Sequence, residues 1–123
     1  MIDAQALYDI VADDSVWPST GAPSRPTLAQ VAAALQTVSE VHIMPEGGFV
    51  ALFAHKDDPT VADVHSGFLP RVRGAAALHF CRELVQRVPY KRLVTTVKEE
   101  RARVFAKMVG FRQEGNVMVL TKE

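Results

Sequence analysis

Apolar residues recur along this chain at two periods, and the switches between them mark its elements. Leu7, Ile10 and Val11, with Ile2, Ala6 and Tyr8, predict a short helix near the N-terminus. Trp17 to Pro26 (WPSTGAPSRP) carries three prolines and a glycine, a composition that predicts no regular structure. Thr27 and Gln30 then have the spacing of a capping box, and Leu28, Val31, Leu35 and Val38 follow at helical intervals, predicting a second helix. From Val41 the period shortens. Val41–Met44 and Phe49–His55 read as strands around the turn Pro45–Gly48, and Thr60–Leu69 reads as a third beyond the turn Lys56–Pro59. Three consecutive strands with such short connections make an antiparallel meander.

The helical period returns at Gly74. Leu78, Cys81, Leu84, Val85 and Val88 form an apolar face opposite Arg82, Glu83, Gln86 and Arg87, and Pro89 ends the helix. Arg92–Val97 is β-branched and reads as a strand buried on both faces. Glu99–Val109 is helical, with acids first and bases behind, and Gly110 stops it. Phe111–Glu114 and Val117–Thr121 around Gly115-Asn116 make a last hairpin. A strand–helix–strand crossover around Gly74–Val88 requires a parallel pair. The expected class is therefore α+β: a mixed sheet, meander plus β–α–β crossover, flanked by helices. The third strand and Arg92–Val97 should lie side by side and splay near Phe68.

Composition narrows the setting. At 123 residues, 48% hydrophobic and 23% charged, the chain reads as a single domain, residues 1–123, with residues 1–59 and 60–123 as its halves. Fourteen basic residues balance fourteen acidic ones, so no overall field points to nucleic acid or to a membrane surface. No apolar run reaches about 18 residues, and the N-terminus lacks the basic start of a signal peptide. One cysteine, Cys81, allows no internal disulfide, and the expected location is cytoplasmic. Charge is nonetheless uneven. Asp3, Asp9, Asp13 and Asp14 make the start acidic, whereas Arg71 to Arg103 holds most of the Lys and Arg.

That basic half contains the candidate chemistry. Phe68-Leu69-Pro70-Arg71-Val72-Arg73-Gly74-Ala75-Ala76 takes the chain from a strand through a tight basic loop into a helix. Free amides and the positive end of a helix dipole at such a junction suit a pyrophosphate, with Arg71 and Arg73 as charged donors. On the preceding strand, His65 and Asp63 share one face and are the candidate bases. His42, His55 and His79 have no close ligand spacing, so no metal site is expected, and Cys81 falls on an apolar helix face as a core residue.

Pro70-x-x-Arg73-Gly74, a helix, a β-branched strand, and then Arg101-Ala102-x-x-Phe105-Ala106-x-x-Val109-Gly110-Phe111-x-x-x-Gly115 resembles the GNAT superfamily of N-acetyltransferases. The resemblance covers Thr60–Lys122, and the shortened N-terminal half looks like small phage-encoded members. It implies acetyl-CoA as co-substrate, held by Phe68, Leu69, Arg71, Val72, Arg73, Gly74, Ala75 and Ala76. A backbone N–H near Phe68 or Leu69 would serve the oxyanion, and a small-molecule or protein amine would attack the thioester directly. The family's loop string fits from Arg71 or, by spacing from Pro70, from Arg73. In the second register its later glycines become Ala76 and Leu78. Its usual asparagine falls at Glu99, and its thiolate-protonating tyrosine at Ala106. Two functions follow: an N-acetyltransferase, or a non-catalytic GNAT-fold interaction or assembly module. A homodimer is a candidate assembly for either.

Overall fold

The computed structural model describes residues 3–20 and 22–122. Helix α1 spans Ala4–Val11, with the Asp3 carboxylate accepting the Gln5 amide as its N-cap. Helix α2 spans Leu28–Leu35 and starts with the reciprocal capping box of Thr27 and Gln30. Between them the proline-rich stretch is more ordered than its composition implies, because Trp17–Thr20 coils into a 3-10 turn. Pro18 costs nothing at a turn start, where its missing N–H would have no partner. The Ser19 and Thr20 hydroxyls donate back to the Val16 and Trp17 carbonyls at 2.8 and 2.7 Å.

Strands β1 (Glu40–Met44), β2 (Gly48–Ala54) and β3 (Val61–Phe68) form the antiparallel meander. A second 3-10 turn, Pro70–Val72, leads into α3 (Ala75–Arg87), which crosses over to β4 (Arg92–Thr95). Helix α4 (Glu100–Val109) and the hairpin β5 (Arg112–Glu114) and β6 (Val117–Thr121) complete the described chain. The sheet order is β1-β2-β3-β4-β6-β5, and only β3 and β4 run parallel.

Two cores sandwich this sheet. On one face Val50, Leu52, Ala62, Phe68, Leu93 and Met118 pack against Ala77, Cys81 and Leu84 of α3 and Ala106 of α4. On the other, Phe49 and Ala51 meet Leu7 and Ile10 of α1 and Val31 of α2. The second layer covers only part of the sheet, since α1 touches β2 and β3 and no contact with β4 reaches the same extent. Strand β4 is therefore not buried on both faces as its sequence suggests. Leu93 is fully buried while Val94 on the other side is half-buried. The apolar stripe of α2 is likewise thinner than predicted: Val31 is buried, but Leu28 is 42% exposed.

Long-range polar bonds fix the elements that frame the crossover. Lys122 Nζ donates to the Val85 and Val88 carbonyls at 2.9 and 2.5 Å, closing the C-terminal end of α3 with a cation. Arg82 Nε donates to the Met108 carbonyl at 2.9 Å and ties α3 to the end of α4.

Candidate functional site

The parallel ladder between β3 and β4 is short. It pairs Val61 with Arg92, Ala62 with Leu93 and Asp63 with Val94, and goes no further. Beyond that point β3 stays with β2 as far as Phe68 opposite Gly48, and β4 stays with β6, Thr95 opposite Met118. Each strand follows its antiparallel neighbour, so a wedge opens between Val64–Phe68 and the chain after Thr95. At its apex Thr95 Oγ1 donates to the Val64 carbonyl at 3.0 Å.

Which backbone groups face the wedge follows from the ladder's alternation. His55 N–H donates to Val61 O, and Leu69 N–H donates to Gly47 O at 2.8 Å, so the odd-numbered residues of β3 turn their polar groups toward β2. Ser66 and Phe68 consequently turn theirs toward β4. The Phe68 carbonyl accepts Arg73 Nε at 2.9 Å, which leaves the Ser66 and Phe68 N–H groups directed into the wedge. Of the two expected oxyanion donors, Phe68 has a suitably directed amide. The Leu69 amide is occupied.

The basic loop is built back from this point. Val72 N–H donates to Leu69 O and Arg73 N–H to Pro70 O, making the tight turn. Gly74 then adopts φ 97°, ψ −130°, a left-handed conformation that glycine tolerates, with open space where a Cβ would stand. The first backbone bond of α3 is Leu78 N–H to Gly74 O, so the amides of Ala75, Ala76 and Ala77 have no acceptor within the helix. Ala75 and Ala76 are exposed, and their methyl groups leave the helix end accessible. Leu78, two positions after Ala76, is half-buried.

The two arginines are held differently from what the sequence implies. Arg73 bridges two backbone carbonyls, giving Nε to Phe68 and Nη2 to Ser15 at 2.6 Å. Its guanidinium braces the wedge to the segment after α1. Arg71 Nε donates to the Glu46 carbonyl at 3.0 Å in the β1–β2 turn. Arg71 remains exposed beside the helix end and is the freer cation there.

The candidate bases lie on the other face of β3, opposite Ala51 and Phe53. His65 is exposed, and its ring meets Phe53 edge-on with centroids 5.4 Å apart. Asp63 Oδ1 lies 2.9 Å from His55 Nε2. His55 was given no role by the sequence, because a partner eight residues away is visible only once the β2–β3 register is known. Among the described residues no three His, Cys, Asp or Glu side chains gather as a metal site. Burial pushes the Cys81 thiol up to about 12, well above an ordinary thiol, and Ala106 is buried in the main core. Glu99 occupies the N-cap of α4 without a side-chain hydrogen bond.

Two open cavities flank β4. One, of about 490 Å³ and lined by Tyr90, Lys91 and Lys122, lies at the end of β4 away from the wedge. The other, of about 420 Å³, lies among the chain after β4, Arg103 of α4 and the β5–β6 hairpin, with Thr96, Lys98, Gln113 and Asn116 in its lining.

No family model matches the chain, and no curated protein matches it by sequence. Solved structures do match in three dimensions. Aminoglycoside acetyltransferase AAC(6')-Ib in complex with paromomycin and acetyl-CoA superposes with a TM-score of 0.73 at 18% identity, covering 97% of this chain and 88% of that one. The same enzyme with ribostamycin and coenzyme A gives 0.71 at 19% identity, with coverage of 97% and 88%. A GNAT-superfamily phosphinothricin acetyltransferase from Sinorhizobium meliloti, in complex with acetyl-CoA, gives 0.73 at 13% identity and covers 94% and 80%. At these identities the likeness is one of architecture: this chain has the fold of the GNAT-superfamily acetyltransferases.

Proposed function

We propose that the protein transfers an acetyl group from acetyl-CoA to an amine of a small molecule. The observation that carries this reading is the wedge between β3 and β4, opening beside the uncapped N-terminus of α3. It is supported by matched structures whose names include acetyl-CoA, coenzyme A and aminoglycosides. In this reading residues 60–123 form the acyl-CoA-binding half of one domain, and residues 1–59 supply β1 and β2 of the sheet and the helices α1 and α2 that cover one of its faces.

The amides of Ala75 to Ala77 and the Arg71 guanidinium take the pyrophosphate, where amide dipoles and positive charge favour an anion. Leu69, Val72, Arg73 and Gly74 shape that loop, and the pantetheine arm enters the wedge. The Phe68 N–H receives the thioester oxygen and strengthens its hold as negative charge develops there. The acceptor nitrogen attacks the carbonyl carbon, a C–N bond forms, and the C–S bond then breaks. His65, directly or through a water, takes the proton that the nitrogen loses. The sulfur leaves as thiolate or is protonated by water, which is inexpensive because a thiol titrates only slightly above neutrality. The alanine at position 106 is therefore compatible with turnover.

Ala106 and the occupied guanidinium of Arg73 favour a second reading, a GNAT-fold module that binds coenzyme A weakly and serves an assembly. Thermal denaturation with and without acetyl-CoA separates the two. A ligand bound to the native state alone raises the melting temperature, by about 2.7 kcal/mol of stabilisation at a hundredfold excess over its dissociation constant. A shift with acetyl-CoA, together with thiol release on adding an amine panel, is the expected result. No shift and no thiol release overturn the enzyme reading.

A further inference from the structure

We infer that the outer edge of β1 pairs with β1 of a second copy of this chain, antiparallel about a two-fold axis at His42, so that two sheets join into one. Strand β1 ends the sheet, and among the described residues nothing bonds its outer side. The alternation that directs odd-numbered β3 residues toward β2 fixes which groups lie free. Phe49, Ala51 and Phe53 exchange bonds with β3, so Val50 and Leu52 serve β1 through His42 and Glu40. The Ser39 N–H, which reaches the Leu52 carbonyl at 2.9 Å, agrees with this. Val41 and Ile43 therefore turn their N–H and C=O groups outward.

That edge is complementary to itself. In a copy reversed about His42, Val41 stands opposite the partner's Ile43, and each such pair exchanges both N–H···O bonds. Every outward group of Val41 and Ile43 is then used. On one face Val41 and Ile43, already packed with the α1/α2 core, extend that core across the axis. On the other, His42 faces the partner's His42. Glu40, whose Oε1 lies 3.0 Å from His42 Nε2, stands diagonal to the partner's imidazole, so carboxylates flank both rings. The opposite edge of the sheet is protected: β5 is three residues long, with Arg112 and Glu114 in it. No lysine, arginine or proline guards Glu40–Met44.

Helix α2 adds apolar area on the same side. Helix α1 covers β2 and β3, and α2 packs beside it, with Leu35 and Val38 sharing a core cluster with Val41 and Ile43. Every residue of Leu28–Leu35 except Gln30 is apolar, yet only Val31 is buried. A helix apolar on all sides belongs against another surface. Both wedges stay open in such a dimer, since β2 separates β1 from β3.

The test uses the full chain in sedimentation and in amide exchange followed by NMR. The expected species is a dimer, with exchange at Val41 and Ile43 slowing as protein concentration rises. His42→Glu places like charges on the axis and should raise the dimer dissociation constant about tenfold or more, whereas His42→Gln should keep the dimer. His42→Cys should form a disulfide-linked dimer under mild oxidation, because facing residues of this kind lie about 4.5 Å apart at Cα, within disulfide range. Lys56→Cys, exposed in the β2–β3 turn, should not. Circular dichroism confirms that each variant is folded, and the exchange experiment needs no variant. A monomer at NMR concentrations, exchange at Val41 and Ile43 independent of concentration, or a dimer indifferent to His42→Glu overturns the inference.

Discussion

Thr95 Oγ1 donates to the Val64 carbonyl at 3.0 Å, at the last point where β3 and β4 are held together. The parallel ladder has ended one residue earlier, and β4 is already committed to β6 through Thr95 opposite Met118. A side-chain hydroxyl thus satisfies a carbonyl that the departing backbone of β4 no longer serves. Thr95→Val keeps the shape and removes the donor, leaving that carbonyl part-buried and unpaired. The expected cost is about 1–3 kcal/mol, read as a lower urea midpoint at unchanged slope. Thr95→Ser should retain most of the stability.

Arg73 and Ser15 pose a different question, whether a guanidinium beside the helix end serves charge or shape. Two carbonyls lie on it, Phe68 and Ser15, and a lysine can donate to both only by giving up the planar fork. If Arg73 acts as a brace, Arg73→Lys should weaken acetyl-CoA binding about as much as Arg73→Glu does, and should lower stability by about 1 kcal/mol. If it is a phosphate contact, the lysine variant keeps most of the affinity. Calorimetry on the two variants decides between these outcomes.

What was legible in the sequence divides along physical lines. The switch from period two to the helical period located the meander, the crossover and the last helix, because alternation and amphipathic spacing reflect the burial that forms them. The parallel β3–β4 pair followed from the crossover, but the strands part after Asp63 and Val94, earlier than the expected Phe68, because β4 is drawn to β6. The orientation of Arg73 did not. It depends on Ser15, 58 residues away, whose position is set by α1 packing on the sheet. The His55–Asp63 pair needed the hairpin register, and the half-exposed Val94 needed to know how far α1 and α2 reach. Local pattern records which face is buried, and distant contacts decide which polar group is free.

Gly67 is where the N-terminal segment presses closest on β3. A Cβ there would stand 2.6 Å from Val16 Cγ1 and 2.8 Å from the Phe49 ring. Val16 is 1% exposed and Phe49 5%, so neither has space to retreat into. Gly67→Ala should cost about 1–3 kcal/mol through overpacking. Because Val16 adjoins Ser15, it should also weaken acetyl-CoA binding, which titration of the purified variant would register.

Cys81 gives a pH-dependent expectation whose sign can be worked out. Burial favours the neutral thiol and pushes it up to about 12, whereas an unfolded thiol titrates near 9. The folded state therefore binds more protons than the unfolded one between those values, and stability falls as pH rises through that window. Below pH 9 the contribution is fully present. Native protein at pH 8 should resist a thiol-specific disulfide reagent and react only on unfolding. Rapid labelling of the native state would show that α3 opens far more readily than its packing implies.

His65 carries the catalytic expectation, and its surroundings make the test clean. The ring is exposed, stands edge-on to Phe53, and has no hydrogen-bond partner among the described residues, so its nitrogens are open to water or an amine. Asp63, two residues earlier on the same face, already faces His55 Nε2 at 2.9 Å. Of the two candidates His65 is therefore the less encumbered. General-base assistance is typically worth about 10²–10⁴-fold. His65→Ala should lower turnover at least about tenfold while leaving acetyl-CoA affinity unchanged, because the imidazole acts on the acceptor side. Its removal takes away a surface contact and no core packing, so the melting temperature should move little. Asp63→Asn should have the smaller effect on turnover, acting through the His55 contact alone. The reverse order, with full activity in His65→Ala and a large loss in Asp63→Asn, would transfer the proton to the Asp63–His55 pair.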